Sequence, residues 1–164
     1  MLLEQSISHL HWDHAFNNHI FPNAEFFVQR KELQYAIAPL PVHMRGYESI
    51  AIGMKPNYII NTKYTIIDGD REIIPGVSVI LTPGHTPGSM AVIVGTNKGK
   101  WAIAGDTVPL YENWNNPDKH IPHLPGGVFI NLMDLCQSID RIEKEADFVL
   151  PSHDIGVFKQ EAYP

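Results

Sequence analysis

Six residues near the start of the chain, His9-Leu10-His11-Trp12-Asp13-His14, constrain its fold more than any other feature. They read H-x-H-x-D-H, four metal-capable side chains in six positions. Three further candidates stand far along the chain: His85 in TPGHTPGS, Asp106 in AGDT and His153 in PSHD. Each closes a strand-like apolar run, VSVILT, WAIAG and DFVLPS respectively. A fold that uses all seven must therefore gather the ends of several strands in one place. Placed at random in a chain of this composition, the hexad alone would arise on the order of once in a thousand cases. Scattered turn residues are the competing explanation, and the three distant partners weigh against it.

The rest of the composition sets bounds. At 164 residues, with 44% hydrophobic and 18% charged residues, the chain is long enough for one domain with a real core. The formal charge is −6 and no basic run occurs, so a nucleic-acid partner is not expected. A single cysteine, Cys136, excludes an internal disulfide framework. No apolar run approaches membrane-spanning length and nothing at the start resembles a signal peptide, so the expectation is no membrane partner and a cytoplasmic location.

Periodicity supplies the elements. Ala24 to Gln29 reads as a strand and Arg30 to Ile37 as a short helix stopped before Pro39. Residues 38–56, punctuated by proline and glycine, read as irregular. Short strands are expected at Tyr58–Asn61, Tyr64–Asp68, Arg71–Ile74 and Val77–Thr82. Met90–Gly95 and Trp101–Gly105 are joined by the turn-like TNKGK as a hairpin. Residues 107–127 hold four prolines and two glycines, a loop long enough to be functional. Asn131 is placed to cap a helix running to about Ala146, with Asp134 favouring its positive end. Leu132, Leu135, Cys136, Ile139 and Ile142 recur at helical spacing, which makes Cys136 a core residue rather than a nucleophile. Phe148–Leu150 is the last strand. Strands, helix, then strand predict an α/β layered sandwich.

The ligand types specify the chemistry. On an extended segment His9 and His11 point the same way and reach one metal. His9, His11 and His85 leave a fourth position open, the arrangement of a catalytic site rather than a structural one. Asp13, His14 and His153 serve a second ion, and Asp106, with two oxygens, is the natural bridge. All donors are nitrogen or oxygen. Two divalent ions are therefore expected, zinc first, with iron, manganese or cobalt open. Pro83, Gly84, Pro87 and Gly88 fix the turn that aims His85, and Asp154 is a candidate to orient His153. His19, His43, His120 and His123 lack ligand spacing. Trp12, Phe16, Met44 and Trp114 are candidates for an acyl-chain pocket or for core packing.

This constellation resembles the metallo-β-lactamase superfamily, whose signature matches His9, His11, Asp13 and His14 and whose later ligand motifs match His85, Asp106 and His153 in chain order. The similarity runs from about residue 6 to the end. Within the superfamily it is nearest in look to the N-acyl-homoserine lactonases, on Ala15-Phe16-Asn17-Asn18 after the hexad, on IIDGDREIIPGVSVILTPGHTPGS and on GDTVPLYENW. The resemblance implies an αββα sandwich and a dinuclear hydrolase. Its expected activity is opening a lactone by attack of a metal-bound hydroxide, a quorum-quenching chemistry, with Asp13 and Asp106 managing the proton. Lactonases of that family carry a tyrosine three residues after the bridging Asp. That position is Pro109 here, and Tyr111, two places on, is the candidate replacement. Several strands normally precede the hexad, where only eight residues do here. The expectation is a single domain, 1–164, lacking most of its first sheet, with Met1-Leu2-Leu3-Glu4-Gln5 a poor substitute. It would associate as a homo-oligomer or otherwise through exposed sheet. Two alternatives stand beside the lactonase: a glyoxalase II-like thioester hydrolase, disfavoured because the 107–127 loop offers only Lys119 to an anionic carrier, and a non-catalytic fragment or regulatory partner of a full-length relative.

Overall fold

The computed structural model describes residues 3–56, 58 and 62–163. Two sheets lie face to face between helices. The first is parallel, in the order β1 (Leu3–Ser6), β2 (Ala24–Gln29), β3 (Tyr64–Ile67). The second runs β4 (Arg71–Ile74), β5 (Val77–Leu81), β6 (Met90–Thr96), β7 (Gly99–Ile103), β8 (Phe148–Leu150). Its pairings are antiparallel except β7 with β8, which is parallel. Among the described residues there are also four α-helices, α1 (Trp12–Ala15), α2 (Arg30–Ile37), α3 (Tyr111–Trp114) and α4 (Leu132–Glu145), and five short 3-10 turns.

Strand β2 shows why the layers stack as they do. Phe26 and Val28 point to one face and pack with Ala36 and Leu33 of α2. Phe27 points to the other and meets Val79 and Met90 of the second sheet, with Ile67 beside it. A strand buried on both faces carries an unbroken apolar run, as FFV does here. The opposite face of the second sheet, through Ile80, Ala91, Ile93, Ala102, Ala104 and Val149, receives Leu135, Ile139 and Ile142 of α4. The order α2, sheet, sheet, α4 is the expected αββα sandwich, with a first sheet of three strands. Leu3–Ser6, read from sequence as weak strand material, nonetheless pairs with β2, which offers it a parallel edge. Towards β7 and β8 the inner face of the second sheet is left open, and Ile103 and Phe148 are exposed there.

Most elements stand where periodicity placed them; Tyr58–Asn61 falls largely outside the described residues. Asn131 caps α4, its side chain accepting from the N–H groups of Met133 and Asp134. Two positions of the buried stripe expected on α4 are corrected. Cys136 is exposed, not core. The buried stripe of α4 runs Leu135, Ser138, Ile139, Ile142, so position 136 turns about 100° away from it toward solvent. Ser138 fills the contact instead and donates to the Pro83 carbonyl at 2.7 Å. Leu132, on the first turn, is exposed as well. Among the described residues no helix is long and apolar enough to cross a membrane.

Candidate metal centre

Strand polarity gathers the seven residues. Parallel pairing of β7 with β8, and antiparallel pairing of β5 with β6 and β6 with β7, puts the ends of β5, β7 and β8 on one side of the second sheet. His85 sits in the turn after β5, Asp106 in the short 3-10 turn Gly105–Thr107 after β7, and His153 just after β8. His9 and His11 come from the segment leaving β1, and Asp13 and His14 from α1.

Glycines allow these segments to touch. A Cβ on Gly84, whose φ is +133°, would lie 2.2 Å from the Leu135 nitrogen; one on Gly88 would lie 2.4 Å from the Glu32 nitrogen. The His85 turn is thus clamped between α4 and α2. Gly105 packs against Ser8 in the same way, with φ +53°, and Gly46 lies against the His11 ring. The Thr107 hydroxyl donates to Thr82 Oγ1 at 3.1 Å, tying the Asp106 turn to the end of β5.

The side chains form two groups. His9, His11, His85 and Asp106 converge in one; Asp13, His14 and His153 in the other. In the first, His9 Nε2, His11 Nδ1 and His85 Nε2 stand 3.0, 3.1 and 3.2 Å from one another. The Asp106 carboxylate joins the two. Its Oδ2 lies 3.4 Å from His85 Nε2 and 3.9 Å from His9 Nε2. Its Oδ1 lies 3.1 Å from both His14 Nε2 and His153 Nε2. Asp13 Oδ2 is 3.6 Å from each of the last two nitrogens.

This donor set fits divalent metal. His85 Nδ1 lies 2.8 Å from the Val128 carbonyl, an acceptor only, so it carries the proton and Nε2 is left a lone pair. Burial lowers the pKa of His9 well below the imidazole range, with His14, His85 and His11 adding to the effect. Burial likewise lowers His11 to about 3, and lowers His85. Three neutral imidazoles thus converge on one point, where each can offer a ring nitrogen to a cation. A tetrahedral ion with metal–nitrogen bonds of about 2.0–2.1 Å sets nitrogen edges of roughly 3.3 Å, close to those observed. Burial also acts to lower His14, but its contact with Asp106 outweighs this and leaves it raised. Burial would raise Asp106; the contacts with His14, His9 and Ser152 outweigh it and hold the carboxylate ionised.

The surroundings contain residues that motif reading did not single out. Ser8 Oγ lies 3.1 Å from His9 Nδ1 and 3.4 Å from His14 Nδ1, touching one histidine of each group. The Ser152 hydroxyl donates to Asp106 Oδ1 at 2.6 Å. Ser152 stands in the PSHD motif beside His153, a signal that was present; Ser8 precedes the hexad, and nothing about its type marks it.

A cleft of about 380 Å³ opens over the centre, lined by His11, Asp13, His85, Asp106 and His153 with Pro109 and the Gly126–Val128 segment. Pro109 lines it and Tyr111 does not. Tyr111 begins α3, its N–H bound to Asp154 Oδ2 at 2.8 Å and its ring against Gly156. Asp154 also accepts from the Gly156 N–H at 2.7 Å, so it serves the backbone rather than orienting His153. Trp12 and Phe16 are exposed, and neither packs into the core. Trp114 stacks on His123, whose Nε2 faces Glu143 of α4 at 3.3 Å, which anchors the 107–127 loop.

Comparison with known proteins agrees with this architecture. The family model of the metallo-beta-lactamase superfamily matches residues 7–153. An N-acyl homoserine lactonase from a Bacillus species is 34% identical over 149 residues, which are 90% of this chain and 54% of that protein. A solved N-acyl homoserine lactone hydrolase, with the product N-hexanoyl-L-homoserine bound at its catalytic metal center, is 30% identical. It aligns with a TM-score of 0.71 over 96% of this chain and 58% of its own. A dizinc quorum-quenching lactonase at 19% identity shares the fold, with a TM-score of 0.69 over 93% of this chain and 57% of its own. The chain spans about half the length of the curated relatives it matches. With the hexad, the later ligand turns and the layered sheets all lying inside the matched span, the chain belongs to the metallo-beta-lactamase superfamily.

Proposed function

We propose that the chain is a dinuclear metal-dependent hydrolase that opens lactones of the N-acyl homoserine type. In this reading His9, His11, His85 and Asp106 hold one divalent ion, and Asp13, His14, His153 and Asp106 the other. The observation that carries it is the placement of Asp106, one oxygen facing each histidine group. Zinc suits an all-nitrogen-and-oxygen donor set of this size, and iron, manganese or cobalt suit it too. When bound, a metal pair supplies Lewis acidity toward the carbonyl and lowers the pKa of water.

The protein groups do the rest. Asp13 is an exposed carboxylate lining the cleft, placed to hold the proton that water gives up and to return it to the alkoxide released as the ring opens. Ser152 keeps Asp106 turned toward both histidine groups. The cleft wall of Pro109, Gly126, Gly127 and Val128 carries no charge, and among the described residues no Lys or Arg lines the cleft. A neutral acyl lactone suits that wall better than a thioester of an anionic carrier.

The test is a side-by-side assay of the zinc-loaded chain on a long-chain N-acyl homoserine lactone and on a glutathione thioester. Lactone hydrolysis that a strong chelator abolishes and added zinc restores is the expected result. A protein that holds two ions yet prefers the thioester, or turns over neither, overturns the reading.

A further inference from the structure

Glu32 is a fully buried carboxylate on the first turn of α2. No metal-ligand motif contains it, and it is not among the grouped ligands. Yet it accepts hydrogen bonds from three separate segments, all of which serve the metal centre. Oε1 accepts from the Leu10 N–H, between His9 and His11, at 2.9 Å. Oε1 also accepts from the Tyr47 hydroxyl at 2.9 Å, and the Tyr47 ring meets the His11 ring edge-on with centroids 4.7 Å apart. Oε2 accepts from the Thr86 hydroxyl at 2.5 Å and from the Gly88 N–H at 3.1 Å, on the turn that carries His85.

Each oxygen therefore answers a different part of one ligand set. Oε1 fixes the segment of His9 and His11; Oε2 fixes the turn of His85. Gly88 makes the second contact possible, because a Cβ there would collide with the Glu32 backbone. Burying a carboxylate is costly, and burial raises the Glu32 pKa even though all four contacts lower it. A bare core position would be filled at less cost by an apolar side chain. Four donors from three segments instead describe a clamp. The second group, Asp13, His14 and His153, receives no contact from Glu32.

We propose that Glu32 is a positioning residue for the three-imidazole site, holding His9 and His11 in register with His85 and so setting the affinity of that site for its metal. This rests on the dinuclear reading above. Outer contacts of this kind commonly change metal affinity ten- to a hundred-fold.

The experiment is a titration of the metal-free full chain with Co²⁺, followed by visible absorbance, and with Zn²⁺, followed by calorimetry. Wild type is compared with Glu32→Gln, and circular dichroism checks the fold. Glu32→Gln keeps the shape but turns one two-bond acceptor into a donor. The expected result is a ten- to hundred-fold loss of affinity at one of two sites, with the other unchanged. Should Glu32→Gln fail to fold, Thr86→Val and Tyr47→Phe each remove one donor, and the same one-site loss is expected at smaller size. Unchanged affinities, or a loss at both sites that simply tracks the fall in Tm, overturn the proposal. Wild-type protein that takes up no metal would instead overturn the dinuclear reading.

Discussion

Tyr111 and Pro109 show what a displacement of two residues does to a side chain's prospects. Pro109 borders the cleft, whereas Tyr111 has passed onto α3, where its backbone N–H is held by Asp154 and its ring covers Gly156. Burial raises its pKa, with Tyr163 adding to the effect, so the hydroxyl stays a neutral phenol. Tyr111→Phe is therefore expected to change kcat/KM on an acyl lactone by less than about threefold, under 1 kcal/mol in transition-state terms. A loss of a hundredfold or more in steady-state kinetics would return the phenol to the reaction. At this scale the candidate ligands, which the fold brings together in two groups, were legible because histidine and aspartate at tight spacing stand out in a sequence. Ser8 and Glu32 were not. A serine or a helix glutamate has many ordinary uses, and only the approach of distant segments sets these two beside the candidate ligands.

Among elements, the turn between β5 and β6 bears the heaviest constraint. It must aim His85, meet α2 through Gly88 and meet α4 through Gly84. Gly84→Ala forces a methyl into the Leu135 backbone and places alanine at a φ of +133°, so a loss of about 3 kcal/mol or more is expected in chemical denaturation. A loss below about 1 kcal/mol would show that α4 can retreat. The turn Asp68-Gly69-Asp70 between β3 and β4 is tied to α4 by polar contacts. Asp70 accepts from the Leu81 N–H at 2.9 Å and pairs with Arg141, which also donates to the Leu81 carbonyl at 3.0 Å. Burial would raise the Asp70 pKa, but the Arg141 and Leu81 contacts outweigh it and lower it. A lowered carboxylate contributes stability above its unfolded pKa of about 3.9, and that stability is lost as pH falls through the lower folded value. Asp70→Asn should thus cost about 0.5 kcal/mol at pH 7, as an exposed pair does, and the difference from wild type should shrink in thermal melts as pH falls below the unfolded pKa of about 3.9. A difference that does not shrink with falling pH would place the effect in packing instead. Strands and helices were legible here because their periodicity is local. The outward turn of Cys136 was not, since leucine, cysteine and isoleucine at positions 132, 136 and 139 fit a stripe equally well until the sheet chooses which edge of the helix it covers.

On the scale of the molecule, the sandwich exists as a frame that brings strand ends together from both sheets. The ligands come from the exit of β1 and from α1 on one side, and from the ends of β5, β7 and β8 on the other. Neither group of candidate ligands comes from one segment, so metal binding would be coupled to folding, and bound ions should raise Tm. The layering was legible as alternating strand and helix patterns. The parallel pairing of Leu3–Ser6 was not, because four residues carry too little periodicity to declare a partner. The central claim is that these dispersed residues form a two-metal centre in this chain. It is tested most directly by elemental analysis of freshly purified, zinc-loaded protein after exhaustive dialysis, alongside His153→Ala. The account predicts two ions per chain, falling to about one in the variant. Near-zero metal in the wild-type chain would contradict it.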